Sequence, residues 1–442
     1  MNLRQALRIK HNVCMAIVGA GGKTTLMFRL ARQLPPSAIV TTTTHLGIEQ
    51  RLLADHHFYI NSLADLDFLE ANPPYGVTLV TGSQVGERIS SLAPDALLRL
   101  SEIVREKNFP LIIEADGSRS LPVKAPSGHE PAIPPWVDTV VNVVGLSALG
   151  KPFSPEVVHR YEEFALLSGL NNLAPITLEA LYKVLAHPNG GLKNIPLGAR
   201  KIVVLNQADT QDIVVVEKLA MALRNTYDAA LVGFLNSRDP EGEVLSVHEP
   251  IAGIILAAGA STRMGLPKIL LEWNGKPFLR IVAENALKAD LHPVIVVVGA
   301  IKEQAEKILE GLSVCIVENE RWEDGQSTSV VKGLTALSQS VGGAIFLLAD
   351  QPQVPYELLT ELVRLHAHSL SPIVAPRVNG RRANPVLFDA TTFSSMFQLT
   401  GDSGGRQLFS QFPLEWLDWP DERILLDVDT EDDYLQLKKI VQ

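Results

Sequence analysis

The residues best equipped for chemistry stand in one string, LAAGASTRMGLPK, at 256–268, directly after an apolar run. Gly259 and Gly265 let the backbone approach an anion and offer it N–H groups. Arg263 and Lys268 bring positive charge to a polyphosphate. Ser261 and Thr262 add hydroxyl donors, and Leu256, Ala257 and Ala258 lead into the loop. A glycine-containing turn with two solvated cations would explain any pair of these residues; the whole string points to phosphate wrapping. Asp350 ends a second apolar run, LLADQP. A carboxylate there faces the crevice at the carboxyl edge of an α/β sheet, where ligands bind. It is a hard oxygen donor suited to Mg²⁺ on a triphosphate, or else a helix N-cap.

A second glycine-bent turn lies near the start, VGAGGKTTL at 18–26. Gly19, Gly21 and Gly22 permit a tight turn, and Lys23 and Thr24 have the types that contact phosphate and Mg²⁺ in a P-loop. The full pattern wants a glycine where Ile17 stands, so this loop is shortened. LIIEAD (111–116) reads as a strand offering Glu114 or Asp116 as the Mg²⁺ partner, or simply as a charged strand end. NQAD (206–209) is a weak match to a base-reading motif, with Gln207 where a lysine is usual.

The elements that must position these groups are legible as apolar runs without alternation, the pattern of parallel strands covered on both faces. In the first half they are 14–19, 38–43, 77–82, 111–116, 139–145, 201–207 and 230–236; in the second, 252–259, 294–299, 314–319, 344–350, 372–378, 384–389 and 424–429. Helical periodicity predicts helices over 93–107 and 355–369. The polar stretch Ser237–Pro250 reads as a linker. Two α/β domains follow, 1–240 and 251–442.

The second half resembles the molybdenum cofactor cytidylyltransferases, MobA-like NTP transferases whose signature is LAAGxSxRMGxxK. The resemblance implies a Rossmann-like, nucleotide-diphospho-sugar-transferase-type fold and transfer of CMP from CTP to molybdenum-bearing molybdopterin, with release of pyrophosphate. Ala257 and Ala258 before Gly259 resemble the cytidylyl branch; the guanylyl branch usually has LAGG. Arg263, Lys268 and Asp350 are then catalytic, and Asp427 or Asp429 is the second Mg²⁺ ligand. Asn319, Trp322, Gly325 and Ser329 match the loop that helps hold the nucleotide. RRANPVLFD (381–389) resembles the substrate-facing segment but has Ala383 and Asn384 where Gly and His are common. Asn384, Asp402 and Arg406 are the implied substrate contacts, the last two also readable as a lid or a capped surface turn.

The first half, through TTTTH (41–45), EADGSRSLPVKAP (114–126) and HEP (129–131), resembles YqeC-type proteins, accessory factors for selenium-dependent molybdenum hydroxylases. The resemblance gives context more than chemistry; the glycine-bent turn and the 111–116 strand themselves point to a P-loop-like α/β sheet with Gly19, Gly22, Lys23 and Thr24 on a nucleotide, ATP or GTP, and Asp116 on a metal. Arg119 and Lys124 are candidate substrate-facing cations; His45 and His129 read as ordinary surface or structural histidines.

Composition limits the partners. There are 39 Lys and Arg against 49 Asp and Glu, a net charge of -10, which disfavours nucleic acid and anionic membranes. No apolar run reaches the ~20 residues a membrane helix needs, and no signal peptide is apparent. Cys14 and Cys315 sit in apolar runs and read as buried thiols of a reducing compartment, so a cytoplasmic protein is expected. Its expected partners are a molybdopterin-type substrate and a molybdenum hydroxylase apoenzyme. Three rival readings stay open: a cytidylyltransferase for another phosphorylated small molecule, a non-catalytic molybdopterin-binding chaperone, and an ATP-driven kinase or ligase in the first domain.

Overall fold

The computed structural model describes residues 1–34, 37–72, 75–259, 267–337, 340–402 and 404–439. The chain divides into two compact units, Met1–His248 and Glu249–Gln442.

The first unit is built on nine strands: β1 (Cys14–Gly19), β2 (Ser37–Thr42), β3 (His56–Tyr59), β4 (Gly76–Thr81), β5 (Leu111–Glu114), β6 (Thr139–Gly145), β7 (Arg200–Asn206), β8 (Ala229–Gly233) and β9 (Val244–His248). Their order in the sheet is β9-β8-β7-β6-β1-β5-β2-β4-β3. Every pairing is parallel except β8 with β9. β1 and β6 are buried along their whole length, which is why they read as unbroken apolar runs. The stretch read as a linker therefore contributes an antiparallel edge strand. β1 runs into α1 (Lys23–Arg32), and α2 (Pro94–Glu106) packs its buried Leu97, Leu100 and Val104 in a core with Ala16, Val18 and Ile113.

The second unit has a mixed sheet. Its strands are β10 (Ile251–Ala257), β11 (Val294–Val298), β12 (Cys315–Glu318), β13 (Gly343–Leu348), β14 (Ile373–Val378), β15 (Arg381–Arg382), β16 (Val386–Asp389) and β17 (Leu414–Asp418). The order is β12-β11-β10-β13-β16-β14-β15, with β17 paired to β14. β10 through β13 are parallel, whereas β16 runs antiparallel to both β13 and β14. Two expectations fail here. Residues 424–429 form no strand; Glu422–Leu425 is a 3₁₀ turn. Cys315 is exposed, because β12 is an edge strand, while Cys14 is buried. The flanking helices are α3 (Phe278–Lys288), α4 (Gln326–Thr335), α5 (Tyr356–Ser369) and α6 (Glu431–Lys438). Thr430 and Asp433 form a capping box at the start of α6. Among the described residues no helix is long and apolar enough to cross a membrane.

Candidate active site

The register between β10 and β13 builds the site of the second unit. Leu256 lies opposite Leu348, so the chain leaves both strands at the same edge, with Ala258 beside Asp350. A cleft of about 460 Å³ opens there. Of the residues expected from the sequence, Leu256, Ala257, Ala258, Gly259, Lys268, Ser329, Asp350 and Asp402 line it. Trp322 and Gly325 line it as well, joined by Glu323 and Gln326, to which the motifs gave no role. Arg263, Ser261 and Gly265 lie outside the described residues.

The far wall is the N-terminus of α4. Gly325, at φ +111°, precedes it, and a Cβ there would stand 2.5 Å from the carbonyl carbon of Gly401. Only glycine allows that approach. The Ser327 N–H then donates to the Gly401 oxygen at 3.1 Å, and this seats Asp402 at the cleft. Buried Asn319 donates to Thr328 Oγ1 at 2.8 Å and to Ser329 Oγ at 3.0 Å. Asn319 thus works behind the cleft, orienting the hydroxyls of the helix start, an end that favours anions.

Charge gathers on the opposite wall. Lys268 Nζ donates to Asp429 Oδ1 at 2.6 Å and to Asp350 Oδ2 at 3.5 Å. Gln351 Nε2 donates to Asp427 Oδ1 at 2.6 Å. Burial opposes the charge on Lys268, but the hydrogen bond to Asp429 and the charges of Asp350 and Asp429 outweigh it and hold the ammonium above its ordinary range. Burial pushes the Asp350 carboxyl up, the Asp427 charge adds to that, and Lys268 only partly offsets it. Burial thus favours the neutral form of Asp350, and a cation placed beside it would favour the ionised one.

Among the described residues no group of three or more His, Cys, Asp or Glu forms a ready metal cage. A Mg²⁺ ion that arrives on phosphates needs only one or two carboxylates. Asp350 fits that role, with 34% of its side chain exposed to the cleft. Asn384 and Arg406 are not in the cleft lining. Phe346 lies opposite Val386, so Asn384 arrives at the same edge one strand over. Arg406 is exposed and lies near Arg382, whose guanidinium stacks 4.7 Å above Phe409.

The first unit holds its own charged cluster at the carboxyl edge of β1 and β5. Ile17 lies opposite Glu114, which carries Gly19 to Asp116; the Gly19 N–H donates to Asp116 Oδ2 at 3.0 Å. Lys23 Nζ donates to the Gly19 oxygen at 2.9 Å and stands 3.3 Å from Asp116 and 3.7 Å from Glu114. Thr24 Oγ1 donates to Glu114 Oε2 at 2.9 Å. Lys124, expected to face a substrate, is instead buried and paired with Asp116 at 2.9 Å and Glu130 at 3.2 Å. Arg119, His45 and His129 are exposed. The NQAD segment braces the loop: Asn206 donates to the Gly21 oxygen at 2.6 Å and accepts from Leu235, and Gln207 accepts from Ser147.

Glu130 gives this cluster a pH signature. Burial favours its neutral form, but Lys124, the Ser127 N–H and Arg160 together outweigh burial and bring its pKa down from 4.5 to about 2. A depressed carboxyl contributes stability that is present above its unfolded pKa and lost as pH falls through its folded one. In native-state hydrogen exchange corrected for the intrinsic rate at each pH and read on the β1 and β5 segments, the stability gap between wild type and Glu130→Gln should hold above pH 4.5 and close toward about pH 2. A gap that does not change across that window would remove the ion pair from the account.

Comparison with known proteins agrees with this division. The family model "YqeC protein" matches residues 15–162, and the "MobA-like NTP transferase domain" matches residues 253–416. The uncharacterized protein YqeC of Escherichia coli K12 is 34% identical over 204 residues, 45% of this chain and 77% of that protein. The nicotine blue oxidoreductase of Paenarthrobacter nicotinovorans is 31% identical over 199 residues, 42% of this chain and 96% of that protein. This chain joins a YqeC domain to a MobA-like NTP transferase domain. The transferase domain is a nucleotidyltransferase, and the cleft at Lys268 and Asp350 lies within the matched residues. A probable molybdenum cofactor guanylyltransferase of Bacillus anthracis is 27% identical over 42% of this chain and 96% of its own length. Among solved structures, Rv0371c of Mycobacterium tuberculosis H37Rv is 29% identical, covering 43% of this chain and 100% of that one, with a TM-score of 0.39.

Proposed function

We propose that the transferase domain moves CMP from CTP to the phosphate of molybdenum-bearing molybdopterin and releases pyrophosphate, supplying a molybdenum hydroxylase apoenzyme in the cytoplasm. The observation that carries the reading is the meeting of Lys268, Asp350, Gly259 and the start of α4 in one cleft at a sheet's carboxyl edge. Ala257 and Ala258, both in its lining, favour CTP over GTP through the LAAG string.

The chemistry follows from charge. An acceptor phosphate is already ionised at neutral pH, so no side chain need act as nucleophile; the difficulty is to bring two anions together in line. The α4 N-terminus and the Ser329 hydroxyl hold phosphate oxygens. Lys268 neutralises charge on the triphosphate when it turns from Asp429 to the ligand. Asp350, with Asp427 or Asp429, would hold Mg²⁺, which when bound supplies positive charge to the triphosphate. Gly259, in the cleft lining, carries no side chain to keep its backbone from the phosphates.

The test is pyrophosphate release with CTP, GTP or ATP and Mg²⁺, each offered with molybdopterin bearing molybdenum and with a panel of sugar and polyol phosphates. Turnover with CTP and molybdopterin is expected to exceed that with GTP by about tenfold or more, about 1.4 kcal/mol of transition-state discrimination. Turnover only with another phosphate would replace the acceptor. Tight molybdopterin binding with no pyrophosphate from any nucleotide would favour the chaperone reading.

A further inference from the structure

The YqeC domain carries a glycine-bent helix start beside a buried charged cluster, and nothing in the transferase chemistry uses it. α1 starts at Lys23 behind Gly22; among the described residues no side chain caps its N-terminal N–H groups, and its first turn has no acidic residue. Such an end is deficient in negative charge. The loop before it is shaped for a close backbone approach: Gly19, at φ +93°, has no room for a side chain, since a Cβ would stand 2.2 Å from the Val143 oxygen.

A second, independent observation lies in the side chains. Asp116 is 2% exposed, and its Oδ1 accepts no hydrogen bond among the described residues, although Lys23 stands 3.3 Å away. Asp116 and Lys124 line a small cavity beside Gly19 and Ala20. Lys23 is 3% exposed. Sinking lysines among carboxylates is a poor way to gain stability, because desolvation consumes most of the Coulomb attraction. The arrangement makes sense as a site held ready: Lys23 rests on Glu114, Asp116 and the Gly19 oxygen until a stronger anion arrives. Thr24 and Glu114, hydrogen-bonded at 2.9 Å, put a hydroxyl and a carboxylate side by side, the donor pair that a phosphate-borne divalent cation accepts.

We propose that the Gly19–Thr24 loop of the YqeC domain binds the triphosphate of a Mg²⁺–nucleoside triphosphate, with Lys23 on the phosphates and Thr24 and Glu114 on the cation. The chain then holds two nucleotide sites. Because Asn206 and Gln207 are engaged with Gly21, Leu235 and Ser147, the NQAD segment supplies a brace for the loop, and recognition centres on the polyphosphate.

The experiment measures binding of ATP and of GTP, each with Mg²⁺, to the full chain by equilibrium dialysis, with a non-hydrolysable CTP analogue titrated in a parallel series. About one ATP or GTP per chain is expected, displaced by inorganic triphosphate. Lys23→Ala should weaken it by about 10–100-fold, the worth of one charge-assisted contact, and should leave one CTP-analogue site, that of the transferase cleft. Should Lys23→Ala fail to fold, Thr24→Val decides, since it should abolish the gain that Mg²⁺ gives over EDTA. Absence of ATP and GTP binding to the wild type overturns the proposal, as does binding that neither variant alters. A single CTP-analogue site that Lys23→Ala removes would count against the transferase reading and leave this one standing.

Discussion

Replacing Asp350 by Asn is expected to lower nucleotidyl transfer by about 10²–10³-fold, about 2.7–4 kcal/mol of barrier, the usual cost of deleting one preorganised electrostatic group. The substitution keeps the shape and removes the charge. Asp350 sits two residues beyond the Leu256–Leu348 pairing, in the lining of the cleft, and burial already strains its ionised form. With Asn there, the charge of Lys268 remains balanced by Asp429 at 2.6 Å, so folding should be little disturbed. The loss should therefore appear in kcat and not in the melting temperature. Raising Mg²⁺ or replacing it by Mn²⁺ should recover part of the rate if the carboxylate holds the cation. Transfer within about threefold of wild type in the folded variant, far below the expected loss, would remove Asp350 from the mechanism.

The sequence made this site legible in the places where chemistry and backbone geometry coincide. The strings around Ala258 and Asp350 read as strand ends, and the two strands do end side by side at the cleft; the buried run at 139–145 became β6 residue for residue because a strand covered on both faces tolerates nothing else. Residues 424–429 show how the same reasoning fails. Ile424 and Val428 are indeed buried, but in two different apolar clusters and without strand pairing. Leu414–Asp418 was passed over because it is only half-buried, and its parallel partner Ile373–Val378 lies far away in sequence. The edge strand Val244–His248 has the same cause: short, with charged flanks, it looks like a connection until β8 pairs with it. Gln326 carries no motif of its own. Only the folding of Gly325 against Gly401 turns the first residues of α4 toward the cleft.

Lys124 gives the second large effect, one that sequence spacing does not disclose. Its ammonium lies between Asp116 at 2.9 Å and Glu130 at 3.2 Å, and it also donates to the Gly117 oxygen at 2.8 Å. The Lys124 and Asp116 side chains are each 3% exposed. Lys124→Met keeps the length and the apolar stem but strands two carboxylates, and breaking a buried pair in this way costs about 3–5 kcal/mol. The loss should be concentrated in β1 and β5, because Asp116 accepts the Gly19 N–H that joins the two strand ends. Native-state hydrogen exchange, read on peptides from the β1 and β5 segments, resolves it where a global melt of two units would not. Adding Glu130→Gln should recover part of the loss, since one stranded charge is then removed, so the two substitutions should be non-additive. Full additivity would mean that Glu130 and Lys124 act separately. Unchanged exchange in Lys124→Met would show that water reaches the cluster, and that its charges are not held against a cost that an incoming phosphate could relieve.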